Sequence, residues 1–158
     1  MMGAALAKAV LDAATAQGLM IATAESCTGG LVAGALTEIP GSSAVVDRAC
    51  VTYSYPSKTA LLGVPEAMLT KHGAVSEPVA RAMAEGMLTR SEAQITVAIT
   101  GVAGPGGSEA KPEGLVHFAT AMAGETLHLV HEFGALGRSQ VRAAAVKTAL
   151  RLLLERLA

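Results

Sequence analysis

Residues 19–24 read Leu-Met-Ile-Ala-Thr-Ala and run into Glu25-Ser-Cys-Thr-Gly-Gly30, which leads to Leu31-Val-Ala-Gly-Ala-Leu-Thr-Glu-Ile39. The first piece is short, apolar and bounded, as a buried strand is. The second is polar and ends in two glycines. The third has the composition of a helix. A strand, a glycine-bearing loop and a helix in that order form the unit of α/β proteins, and they aim free backbone N–H groups at whatever lies before the helix.

The flanking sequence repeats the pattern. Residues 2–17 predict a helix with an apolar stripe of Leu6, Val10 and Leu11, stopped by Gly18. Pro40-Gly-Ser-Ser43 predicts a turn, and Val45 to Ser54 a strand. Pro56 opens a helix through Leu62, ended by Gly63, and 65–72 and 77–89 predict two more. Ile95-Thr-Val-Ala-Ile-Thr100 is a second buried strand, emptying into Gly101-Val-Ala-Gly-Pro-Gly-Gly107. Strands at 115–122 and 126–133 form a hairpin, and 139–157 a helix with Ser139 as its N-cap. The expectation is one α/β domain over residues 1–158, a mixed sheet with helices on both faces.

Composition narrows the function classes. The chain has 158 residues, 12 Lys+Arg against 13 Asp+Glu, and 3% aromatics without Trp. A basic nucleic-acid module and a base-stacking single-strand binder are both disfavoured. No apolar run reaches the length of a membrane span, and the N-terminus lacks the pattern of a signal peptide. A cytoplasmic protein with Cys27 and Cys50 reduced is the expectation.

Three segments carry polar side chains that a plain core does not need. In Glu25–Gly30, hydroxyls and N–H groups sit at a helix start, where an anion is favoured, although a simple capping turn explains them equally. Thr100–Gly107 lets a ligand approach the backbone, but it matches neither a Walker A loop nor a dinucleotide fingerprint. The stretch from Gly41 to Lys58 holds Ser42, Ser43, Tyr53 and one lysine, which suits a serine–lysine amidase once burial lowers the pKa of the amine. Cys27 is an alternative thiol nucleophile. His72, His117, His128 and His131 form no metal motif, and His128 and His131, three apart on a strand, face opposite ways.

Taken in order, Ala24-Glu-Ser-Cys-Thr-Gly-Gly30, Pro40-Gly-Ser-Ser43, Val51-Thr-Tyr-Ser54 with Lys58, Leu62-Gly-Val64, His72-Gly-Ala-Val-Ser-Glu77 and Ile99-Thr-Gly-Val-Ala-Gly-Pro-Gly-Gly107 resemble the CinA C-terminal domain family, over residues 19–142. Its stand-alone members are nicotinamide-nucleotide amidases. The resemblance implies a three-layer α/β/α domain, a homodimer, no metal or organic cofactor, and hydrolysis of the carboxamide of nicotinamide mononucleotide to the acid and ammonia. It implies Ser43 as nucleophile, although the chain alone does not separate Ser43 from Ser42. Lys58 is implied as general base, with Tyr53 assisting. Glu25, Ser26, Thr28, Gly29, Thr100, Gly101 and Gly104 are implied to hold the nucleotide, with Arg138 and Arg142 as a phosphate fork. Tyr55-Pro-Ser57 stands where the family usually has Asn-Glu-Ala, and Gly137 stands before Arg138 where an Asp is usual. A nucleotide- or partner-binding domain without catalysis is the alternative that these departures suggest.

Overall fold

The computed structural model describes residues 3–158. Five strands form one sheet in the order β2-β1-β3-β4-β5. The strands are β1 (Ile21–Glu25), β2 (Val46–Val51), β3 (Ile95–Gly101), β4 (Leu115–Met122) and β5 (Glu125–Glu132). β2, β1 and β3 run parallel, whereas β3, β4 and β5 form an antiparallel meander, so the sheet is mixed.

Alternation along the strands sorts the two faces. Ile21, Ile95, Val97, Ile99, Val116 and Phe118 point to one side. There they meet α1 (Ala4–Gln17), α2 (Leu31–Thr37) and α6 (Arg138–Leu157). Ala22, Ala24, Ala98, Ala119 and Ala121 point to the other. That face is covered by α3 (Tyr55–Leu62), α4 (Glu66–His72) and α5 (Glu77–Thr89). Alanines on the sheet let α5 lie close, and Gly86 extends the close packing to α3. A Cβ at Gly86 would sit 1.9 Å from the Leu62 carbonyl oxygen. Three layers with two aliphatic cores result.

Several boundaries differ from expectation. The predicted first helix begins at residue 2, which lies outside the described residues. β2 ends at Val51, three residues early, because the chain turns to start α3 under a Ser54 cap. The last helix is capped by Gly137 instead of Ser139, whose side chain makes no cap bond there. Among the described residues no helix is long and apolar enough to cross a membrane.

Candidate active site

The carboxyl ends of β1, β2 and β3 open on one side of the sheet. There the chain leaves β1 for β2 over one face and returns from β2 to β3 over the other. A crevice outside the strand ends at such a reversal is where α/β sheets bind ligands. Here it is a cavity of about 290 Å³. Its floor is Ser26, Cys27 and Lys58, and the loop from Thr100 to Glu109 walls it. Tyr53, Tyr55 and Arg138 stand at its mouth.

The floor is built by register. Glu25 pairs with Val51 across β1 and β2, so Ser26 and Thr52 follow side by side. Ser54 then caps α3 with a reciprocal Ser54–Ser57 capping box and Pro56 in the first turn. Pro56 thus fits the helix start and aims Lys58 back into the sheet. Lys58 is only 1% exposed. Its Nζ donates to Ser26 Oγ at 2.9 Å and to the Thr52 carbonyl at 2.6 Å. Burial pushes the amine down from its usual 10.5 to about 8, against weaker opposing pulls from Cys27 and Glu109. A hydroxyl and an amine poised near neutrality, in hydrogen-bond contact on a cavity floor, have the geometry of a nucleophile and its base.

The serine implied beforehand is elsewhere. Ser43 is exposed on a single 3-10 turn, Ser42–Ala44, at the amino end of β2. The length of that strand separates it from Lys58, roughly 20 Å at about 3.3 Å per residue. Ser42 is buried there and its hydroxyl bonds to the Thr37 carbonyl. Within one chain, Lys58 meets Ser26 and neither of these.

Glu25 also departs from its expected place. It is fully buried below the floor and accepts from Thr23 Oγ1, Thr28 Oγ1 and the amides of Gly30, Val32 and Ala33 at 2.7–3.1 Å. It holds the start of α2, so neither it nor Thr28 is free for a ligand. Gly29 lies beside Arg142, whose guanidinium grips the Cys27 and Thr28 carbonyls from behind. Arg142 therefore braces the loop and does not line the cavity. Arg138 does reach the mouth, donating to Tyr53 Oη at 2.7 Å and to the Gly104 carbonyl at 2.6 Å. Thr100, Gly101 and Gly104 line the wall, with Thr100 Oγ1 committed to the Ala74 carbonyl at 2.9 Å. A Cβ at Gly101 would strike Leu115 and Val116 within 2.9 Å, so that glycine is required by the β3–β4 contact.

Cys27 is 5% exposed, and burial pushes its thiol up to about 12. A thiol so disfavoured as thiolate is a poor nucleophile at neutral pH. Its amide N–H, and that of Ala103 in the cavity wall, make no hydrogen bond to a backbone carbonyl of the described residues. Tyr55 and Glu109 are site residues that sequence reading did not single out. Tyr55 follows the Ser54 cap directly, so a position in the first turn of α3 was the one signal for it.

The CinA C-terminal domain family model matches residues 3–157. A CinA-like protein of Akkermansia muciniphila is 54% identical over 123 residues, 77% of this chain and 30% of its own length. A CinA-like protein of Gloeobacter violaceus is 51% identical over 138 residues, 86% of this chain and 32% of its own. The chain thus spans about a third of these curated relatives. Among solved structures, the competence/damage inducible protein CihA of Agrobacterium tumefaciens superposes with a TM-score of 0.93 at 53% identity. That match covers 96% of this chain and 93% of the other. The competence damage-inducible protein A of Klebsiella pneumoniae gives 0.95 at 38%, covering 99% and 98%.

Proposed function

Because the chain belongs to the CinA C-terminal domain family, we propose that it is an amidohydrolase that converts nicotinamide mononucleotide to the acid mononucleotide and ammonia, with Ser26 as nucleophile and Lys58 as base. The observation that carries this reading is the buried Lys58 amine 2.9 Å from Ser26 Oγ on the cavity floor. The substrate comes from the family resemblance and is compatible with the size of the cavity and the polar groups at its mouth.

In the proposed reaction, neutral Lys58 takes the Ser26 proton as Oγ bonds to the carboxamide carbon. The C=O π pair moves onto oxygen. The amides of Cys27 and Ala103, which reach no backbone carbonyl among the described residues, are the candidate donors to that oxyanion, and one such donor typically lowers the barrier by about 3 kcal/mol. The Lys58 ammonium returns its proton to the departing nitrogen, the C–N bond breaks and ammonia leaves. Water, deprotonated by Lys58, then cleaves the acyl-serine ester. Deprotonation of a buried amine near pH 8 is what lets a lysine serve without a histidine. Arg138, with Tyr53, is read as the contact for the nucleotide phosphate.

The test is ammonia release from nicotinamide mononucleotide by the wild-type protein, beside Ser26→Ala and Ser43→Ala. Release by wild type and Ser43→Ala, but not by Ser26→Ala, is expected. Full activity in Ser26→Ala would overturn the assignment, and no release by folded wild type would overturn the activity.

A further inference from the structure

Among the described residues three charged side chains line the cavity, one of them acidic. Lys58 lies on the floor, Arg138 at one rim and Glu109 at the other. The two rim charges come from opposite layers. Arg138 begins α6, on one face of the sheet. Glu109 lies against the opposite layer, where its carboxylate comes within 2.9 Å of a Cβ built on Gly73.

Glu109 is held there by construction. Ser108 and Lys111 exchange two backbone hydrogen bonds, 2.9 and 2.8 Å, which closes a two-residue turn. Glu109 (φ 53°) and Ala110 (φ 61°) are its central residues. Both have left-handed backbone, which is unfavourable for a non-glycine residue and which Asn or Gly would relieve. The turn tip is pinned from two sides. Tyr55 Oη donates to the Glu109 carboxylate while accepting from the Ala74 amide at 3.1 Å. The Lys111 ammonium bonds the carbonyls of His72 and Val75. Among the described residues no cation lies within ion-pair distance of the Glu109 carboxylate, although Lys111 sits beside Gly73 with it and the Lys58 amine feels its charge. Beside it the Tyr55 ring lines the same wall.

A carboxylate outside any ion pair and a tyrosine ring on one side of a cavity, with an arginine on the other, fit a dipolar ligand whose ring is positive and whose far end is negative. We propose that Glu109, positioned by Tyr55, is a specificity determinant that reads the positive charge of the substrate's ring, so that the site selects N-substituted pyridinium carboxamides over neutral aromatic amides. The inference rests on the amidase reading and deepens it. Coulomb attraction gives the sign, and a partly solvated charge pair supports about tenfold in affinity.

The experiment compares nicotinamide mononucleotide with its reduced form, which has the same shape but an uncharged dihydropyridine ring. Dissociation constants are measured by calorimetry in the Ser26→Ala background, where neither ligand turns over, and circular dichroism checks each variant's fold. The oxidised form is expected to bind more tightly, and Glu109→Gln to shrink that preference about tenfold. Glu109→Asp should restore most of it, and raised salt should weaken it in the parent only. Binding of both forms with a ratio unmoved by Glu109→Gln would overturn the role of Glu109 while leaving the amidase standing. Binding of neither form would overturn the amidase reading, and this inference with it.

Discussion

Replacing Lys58 by Met tests the physics of the floor, because stability and activity should move in opposite directions. Methionine matches the length of the lysine stem but carries no amine. The drop of the Lys58 pKa from 10.5 to about 8 means that folding disfavours the ammonium by about 3 kcal/mol. The lysine is 1% exposed, so solvent screening removes little of this. Lys58→Met removes that cost but strips the Thr52 carbonyl of its donor, which costs about 1–3 kcal/mol. At pH 7 the variant should therefore equal the wild type or exceed it by up to about 2 kcal/mol. The sign with pH follows from proton counts. Between pH 8 and 10.5 the unfolded chain still holds the Lys58 proton and the folded chain has lost it, so wild-type stability rises with pH across that window. Relative to wild type, Lys58→Met should lose about 3 kcal/mol from pH 8 to 10.5, with other titrations cancelling in the difference. Urea unfolding of both proteins at pH 7 and pH 10 reads this, and ammonia release should fall by at least about a thousandfold. A variant several kcal/mol less stable than wild type at both pH values would refute the argument, since the ammonium would then be welcome where it sits.

Other expectations follow from the same geometry. The ammonia-releasing activity should rise with pH through an apparent pKa near 8, and a profile flat from pH 6 to 9 would remove Lys58 as the base. Glu25→Ala leaves the hydroxyls of Thr23 and Thr28 and the amides of Gly30, Val32 and Ala33 without their acceptor, so thermal unfolding should report a loss of about 3–5 kcal/mol. A loss under 1 kcal/mol would show that water or a neighbour replaces the carboxylate. His117, whose Nδ1 is 2.9 Å from His128 Nε2, is pushed by burial, and then by His128 and Lys111, from 6.5 down to about 4. The unfolded chain takes up this proton first, so stability should fall between pH 6.5 and pH 4, by about 1–2 kcal/mol once solvent screening of the half-buried ring is allowed for. Denaturant titrations at those pH values should show the slope flattened in His117→Gln.

Much of this protein is written in local pattern. The strands at 21–25 and 95–101, the 115–132 hairpin and the glycine-ended helices follow from short-range periodicity and turn chemistry, and the ordered motifs identify the family. Lys58 and the residues of the first loop could be named as site residues because their types are unusual for a buried α/β core. Their roles could not be divided from the chain alone. Ser26 and Ser43 are both hydroxyls in short polar turns; only the parallel register of Glu25 with Val51 sets Ser26 against Lys58, while strand direction sends Ser43 to the far end. Glu25 looks like a ligand contact in the sequence and is a buried helix anchor in the fold, because the start of α2 turns its amides onto it. Arg138 and Arg142 lie one turn apart on α6, yet one meets the mouth and the other the back of the loop. Sequence spacing specifies which residues share an element and a face, whereas which elements converge is settled by long-range pairing and burial, and in this protein the chemistry lies where they converge.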